Sequence, residues 1–167
     1  GFEGVAGIAT SLMREGTETR SSTDIATAID FIGGSLSVAA GADYCAASAE
    51  VLKSNVATGL DLFADVILHP SFPEEEIDRE RKQRLANLEG LKEEPSSVAS
   101  IMFSRNAYGT HPYGRQSFGT KASLEEIERH DLVDFYQKIF IPNNATLVVV
   151  GDFASAQMLE KIKAAFG

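Results

Sequence analysis

The sequence predicts an α+β domain in which an antiparallel or mixed sheet packs against several helices. Apolar stripes at helical spacing recur along nearly the whole chain, whereas only three short runs read as strands. Of the 167 residues, 44% are hydrophobic and 23% charged, the balance of an ordinary soluble α/β or α+β domain. That length fits one domain able to bury its own core.

Taken in order, the elements justify themselves locally. Ile25, Ala28, Ile29 and Ile32 share one helical face, and Ser21 with Asp24 has the spacing of a capping box just before them. Gly33-Gly34 ends that helix. Ser35 to Ala40 then reads as a strand, Gly41-Ala42-Asp43 as a turn and Tyr44 to Val51 as a second strand. Val56, Leu60, Phe63 and Ile67 mark another amphipathic helix, closed before Pro70. Pro73 stands at the first turn of a long helix, Glu74 to Glu94, whose interspersed acids and bases describe a solvated surface. After Pro95 a helix carries Val98, Met102 and Phe103, and Tyr108 to Gly119 reads as a loop.

Leu132, Phe135, Tyr136 and Ile139 form an i, i+3, i+4, i+7 stripe. Leu147 to Val150 is a continuous apolar run between Pro142-Asn143-Asn144 and Gly151-Asp152, the pattern of a central strand. Met158, Ile162 and Phe166 mark a closing helix. Three strands are few for a sheet that accepts so many helices, so further strands are expected before Gly1 or from another chain.

A formal net charge of −9 disfavours nucleic acid, whose recognition relies on basic clusters. No run approaches the roughly 18 apolar residues of a membrane span. The chain begins at Gly1 rather than Met, so its targeting is not legible, and one unpaired cysteine fits cytoplasm and bacterial envelope equally. Cys45, flanked by Tyr44, Ala46 and Ala47, reads as a small buried residue and has no partner for a disulfide. His69 and His111 each precede a proline and His130 adjoins Asp131. No two histidines have ligand spacing, so their expected roles are structural or on the surface. A Ser/His/Asp set lacks any G-x-S-x-G turn, and Gly33-Gly34 does not resemble a phosphate loop.

Several segments together resemble the first lobe of the pitrilysin/insulinase zinc peptidases, the group with the inverted motif H-x-x-E-H. Gly4-Val5-Ala6 leads a helix that runs into Arg14-Glu15-Gly16-Thr17 and then Arg20-Ser21-Ser22. Ile32-Gly33-Gly34-Ser35-Leu36 resembles the family's Gly-Gly turn into a strand. His69-Pro70-Ser71-Phe72-Pro73, Glu80-Arg81, Tyr108-Gly109-Thr110-His111-Pro112-Tyr113-Gly114, and Pro142-Asn143-Asn144 before Val149-Val150-Gly151-Asp152 follow in the family's order. The resemblance implies a metallohydrolase-like lobe spanning 1–167, with its first strands lying before Gly1.

Carried onto this sequence from Gly16-Thr17, the two histidines of H-x-x-E-H fall at Gly7 and Ser11 and the catalytic glutamate at Thr10. The third ligand, a glutamate on a later helix, falls at Asn87, two turns beyond the accompanying acid Glu80. Glycine offers no ligand, a neutral hydroxyl replaces imidazole poorly, and threonine cannot take a proton from a metal-bound water. Glu89 is two residues from Asn87, about 200° around the helix, and is expected to point away. The resemblance therefore implies no zinc and no catalytic residue in this chain, with zinc held by an active partner half.

The implied role is that of a non-catalytic half, fused or separate, that helps close a peptide-binding chamber and supports an H-x-x-E-H partner. In catalytic halves the edge strand after the Gly-Gly turn adds to the substrate backbone. The matching stretch is Leu36, Ser37, Val38, Ala39 and Ala40, whose small residues permit close approach. The alternative for that stretch, favoured in a degenerate half, is an ordinary strand covered by protein. Two competing functions stand beside the accessory half: a structural or protein-binding module of a complex, and an active metallopeptidase with an unusual site.

Overall fold

The computed structural model describes residues 3–167. The chain is α+β, with eight helices and one two-stranded antiparallel sheet among the described residues. The order is α1 (Val5–Leu12), α2 (Ser22–Phe31), β1 (Ser35–Ala40), β2 (Cys45–Glu50), α3 (Val56–Leu68), α4 (Glu74–Leu91), α5 (Pro95–Tyr108), α6 (Lys121–Glu126), α7 (Arg129–Ile139) and α8 (Ser155–Phe166). Short 3₁₀ turns lie at Lys53–Asn55, Pro112–Gly114 and Pro142–Asn144. No helix among the described residues is long and apolar enough to cross a membrane.

Helix α1 lies at the centre of the packing. Its Ile8, Ala9 and Leu12, with Met13 after it, are at most 1% exposed, and it packs against α7, β1 and α4. The core continues through Ile25 and Ile29 of α2, Leu36 and Val38 of β1, Leu62 and Val66 of α3, and Leu132 of α7. Helix α2 begins with the expected capping box: the Ser21 hydroxyl accepts from the Asp24 amide, and the Asp24 carboxylate accepts from the Ser21 amide at 3.1 Å.

The Gly33-Gly34 pair ends α2 by two different devices. Gly33 takes a left-handed conformation (φ 61°), and the Gly34 amide reaches back to the Ile29 carbonyl at 3.0 Å, the six-to-one closure of a Schellman motif. Gly34 itself is crowded: a Cβ there would lie 2.9 Å from the Glu50 carbonyl oxygen and from side-chain carbons of Ile29 and Val51. The turn into β1 is thus set by conformation at one glycine and by close approach at the next. Strands β1 and β2 pair in register from Ser35 with Glu50 to Ala40 with Cys45.

A polar cluster ties the loop after α1 to the end of α3. Asp65, 8% exposed, accepts from the Thr17 hydroxyl at 2.8 Å, the Arg20 guanidinium at 2.6 Å and the Thr19 hydroxyl at 3.3 Å. Burial alone would raise the Asp65 carboxyl. The hydrogen bonds from Thr17 and Arg20, the Arg20 charge and the Thr19 hydroxyl outweigh it and hold the group below the ordinary carboxylate range. The next segment contains Phe72, fully buried at 1% exposure yet with a left-handed φ of 49°. A non-glycine residue adopts that conformation only where its surroundings enforce it. Here the ring packs edge-on to Tyr136 at 6.0 Å, and Arg129 donates to the Phe72 and Ser71 carbonyls at 3.0 and 2.7 Å.

Three expectations are corrected, and a fourth holds with a difference in burial. Leu147–Val150 forms no strand; no described segment runs beside it to supply hydrogen bonds, and Val148 and Val150 are 73% and 90% exposed. Helix α5 forms as expected but buries none of Val98, Met102 and Phe103. Cys45 is only half-buried, although burial still pushes its thiol up. Pro73 sits just before the first turn of α4, where its carbonyl receives the amides of Glu76 and Ile77. Helix α6 is too short to show a hydrophobic period and is announced only by its Thr120–Ser123 capping box.

Two substitutions test this account. Phe72→Ala is expected to cost about 3–5 kcal/mol in equilibrium urea unfolding, because a fully buried ring is lost and Ala relieves none of the backbone strain. Asp65→Asn removes the buried charge partner of Arg20, leaving it only the exposed Asp61 at 2.7 Å, and is expected to cost about 2–3 kcal/mol at neutral pH. Because the folded-state pKa of Asp65 is depressed, its contribution is complete above the unfolded-state value and is lost as pH falls through the folded-state value. The gap in stability between the native protein and Asp65→Asn should therefore persist from neutral pH to about 5 and close below about 4.

Candidate functional site

Helices α1 and α4 face one another, and Gly7, Ser11 and Glu80 meet at that contact. Helical spacing places Gly7, Thr10 and Ser11 on one side of α1. Thr10 is 1% exposed, and its hydroxyl donates to the Ala6 carbonyl at 2.9 Å and lies 3.2 Å from that of Gly7. It is thereby committed to its own helix. Ser11 offers its hydroxyl oxygen toward α4, where it accepts from Nη2 of Arg84 at 3.2 Å.

Arg84 is the residue that sequence reasoning missed. Its Nε donates to Glu80 Oε1 at 2.7 Å, one turn earlier on α4, in a pair whose side chains are 16% and 25% exposed. The guanidinium lies against the bare backbone of Gly7: a Cβ there would stand 2.9 Å from Nη1, 3.4 Å from Nη2 and 3.5 Å from Cζ. The Glu80–Arg84 spacing was visible as an i, i+4 ion pair. Its position over Gly7 was not, because only packing brings residues so distant in sequence together.

The rest of the proposed ligand set is not gathered there. Asn87 is exposed on α4, and its Oδ1 accepts from Gln83 at 3.0 Å. Glu89 is also exposed and pairs with Lys92 at 2.7 Å, which lowers its carboxyl from the ordinary value. Glu80 alone among these brings a carboxylate to the α1–α4 contact, and it is already engaged by Arg84. A site of glycine, a self-bonded threonine, a serine hydroxyl and a guanidinium does not fit a zinc ion, which needs imidazole, thiolate or carboxylate donors.

Strand β1 borders α1 on another side. Leu36 and Val38 turn their side chains into the core, and Ser37 faces outward with its hydroxyl 2.8 Å from that of Ser48. Among the described residues β1 pairs only with β2, so its other edge is unpaired. The Leu36 carbonyl on that edge accepts from Nη1 of Arg14 at 3.0 Å. By the alternation of an antiparallel ladder, Val38 and Ala40 turn their amides and carbonyls to the same open side, while Ser37 and Ala39 bond to β2. A groove beside the start of β1 is lined by Arg14, Ile25, Ile29, Gly34, Ser35 and Leu36. At the far end of the hairpin, the Tyr113 hydroxyl donates to both oxygens of Asp43 at 2.8 and 2.9 Å, which docks the Tyr108–Gly114 segment on the β1–β2 turn.

His69 approaches Asp65 at 3.4 Å, His111 accepts from the Tyr113 amide, and His130 lies beside Glu128 and Asp131. These three environments are separate, and no group of three or more metal-binding side chains assembles among the described residues.

In sequence and fold the chain is similar to known proteins. The chain is 29% identical to an uncharacterized zinc protease of Mycobacterium leprae over 164 residues, which is 98% of this chain and 37% of that protein. The crystal structure of a peptidase M16 inactive domain from Pseudomonas fluorescens superposes with a TM-score of 0.77 at 31% identity, covering 80% of this chain and 33% of that one. A protease from Helicobacter pylori shares the fold with a TM-score of 0.90 at 22% identity, covering 98% of this chain and 40% of its own. This chain thus spans little more than a third of the length of such relatives. The family model for insulinase, peptidase family M16, matches residues 2–121, and that for the M16 inactive domain matches 126–167; the chain belongs to the M16 insulinase family of zinc peptidases.

Proposed function

We propose that this chain is one lobe of a non-catalytic half of an M16 zinc peptidase, which helps form the peptide-binding chamber and supports an active H-x-x-E-H partner, fused or separate. The observation that carries this reading is the chemistry of the α1–α4 contact. Where the family places its ligands and base, this chain has Gly7, Ser11, an exposed Asn87 and a Thr10 hydroxyl bonded to its own helix. None of these can hold the metal or take a proton from a water. The catalytic zinc is accordingly assigned to the partner half.

A half without chemistry still contributes by excluding water and by holding an extended peptide at a further point. The unpaired edge of β1, over Leu36, Ser37, Val38, Ala39 and Ala40, is the candidate contact, since its outward amides and carbonyls at Val38 and Ala40 are free to accept an added strand. Leu36 contributes less, because Arg14 already holds its carbonyl. The outward side chains near this edge are small, and the groove beside Ile25 and Ile29 offers space for a side chain of the bound peptide.

Purified chain loaded with zinc and then dialysed is expected to retain far less than one zinc per molecule. Near-stoichiometric retention with hydrolysis by the chain alone would instead identify an active enzyme with an unusual site. Added to an H-x-x-E-H subunit encoded in the same genome, the chain is expected to raise kcat/KM for extended peptides, whereas no enhancement would favour a structural module. Ala40→Pro, which removes one outward-facing N–H, should cut that enhancement by about tenfold, the worth of one good hydrogen bond. Ala39→Pro removes an N–H bonded to β2 and should lower thermal stability instead.

A further inference from the structure

We infer that the Arg84 guanidinium takes the place of the metal: it is a fixed cation that clamps α1 to α4 and excludes a divalent ion from this position even when ligands are restored. The inference rests on the placement of the family's ligands at Gly7, Ser11 and Asn87, and deepens it by naming what fills the gap. Loss of ligands alone would leave Glu80 as an unpaired carboxylate beside a helix with no side chain at position 7. Instead the guanidinium answers each of these features. Nε meets Glu80 at 2.7 Å, Nη2 meets Ser11 at 3.2 Å, and the planar group lies where a side chain on residue 7 would begin, 2.9 Å from an ideal Cβ.

Each neighbour suits a guanidinium better than a metal. A planar cation needs acceptors arranged around its edge and a flat surface against its face. Glu80 supplies a charged acceptor, Ser11 a neutral one, and Gly7 supplies the surface. Gly7 leaves room for the replacement, since a Cβ there would stand 2.9 Å from Nη1 of Arg84. The guanidinium cannot step aside cheaply, because it is anchored at both Nε and Nη2 and only 16% of the side chain is exposed. A divalent ion entering the same contact faces like-charge repulsion from the guanidinium in a partly desolvated setting.

The decisive experiment compares zinc affinity, by competition with a chromogenic chelator, in two variants of the chain. One carries Gly7→His, Thr10→Glu, Ser11→His and Asn87→Glu; the other carries these four changes together with Arg84→Ala. The expected result is zinc binding at least about a hundredfold tighter when Arg84 is removed, as like-charge repulsion in a partly buried site implies. Equal, tight binding by both folded variants would overturn the role of Arg84 while sustaining the ligand placement. Absence of binding in both, with helical content retained, would overturn the placement and the inference together.

A second pair of variants serves where the fivefold substitution does not fold. Gly7→Ala should lower the Tm by about 3 °C in the native background, because the methyl group displaces the anchored guanidinium. In the Arg84→Ala background the same change should raise the Tm by about 2 °C, the ordinary gain of alanine over glycine within a helix. A rise in both backgrounds would show that the guanidinium does not sit over Gly7 and would overturn the inference.

Discussion

The burial of α1 is the constraint on which the rest of the structure depends. This short helix brings Ile8, Ala9, Leu12 and then Met13 into the core with almost no exposure, and β1, α4 and α7 pack around it. A close-packed interior tolerates little rotation. With those residues fixed, Gly7 and Ser11 must look at α4, and whatever side chain α4 presents opposite them defines the site. In this chain that side chain is Arg84.

The same packing sets the geometry of the hairpin. Leu36 and Val38 are held by the core, so β1 cannot roll, and the alternation of its ladder leaves the polar groups of Val38 and Ala40 along an open edge. The crowded Gly34 and left-handed Gly33 fix where β1 starts. Asp65 and its three donors tie the segment after α1 to the end of α3, and Arg129 stabilises the backbone at Phe72 that leads into α4. Arg81 extends the same frame by donating to the Leu124 and Ile127 carbonyls, which joins α4 to the region of α6. Between them these contacts align α1, β1 and α4, the three elements that carry the proposed site.

Much of this was legible in the residues. Helix periodicity located α2, α3, α7 and α8, Pro73 and the interspersed charges located α4, and the Ser21–Asp24 spacing announced a cap that the structure contains. The apolar run Leu147–Val150 misled, because a hydrophobic pattern describes what a segment can pair with and not whether a partner runs beside it. For the same reason the apolar residues of α5 identify a helix without identifying what, if anything, covers it. Short α6 escaped because six residues hold too little periodicity to register.

At the site, the sequence by itself determined the residue types at the proposed ligand positions, and so the donor chemistry available there. It also determined the helices, since their hydrogen bonds close within four residues and their caps within three. Only the tertiary structure decided what occupies the space between α1 and α4. Ser11 and Arg84 are 73 positions apart, and their meeting depends on how two helices rotate as their buried faces lock together. Local pattern carries no information about that rotation. A guanidinium, a carboxylate and a glycine become a single clamp only once the core has fixed the angle at which they face each other.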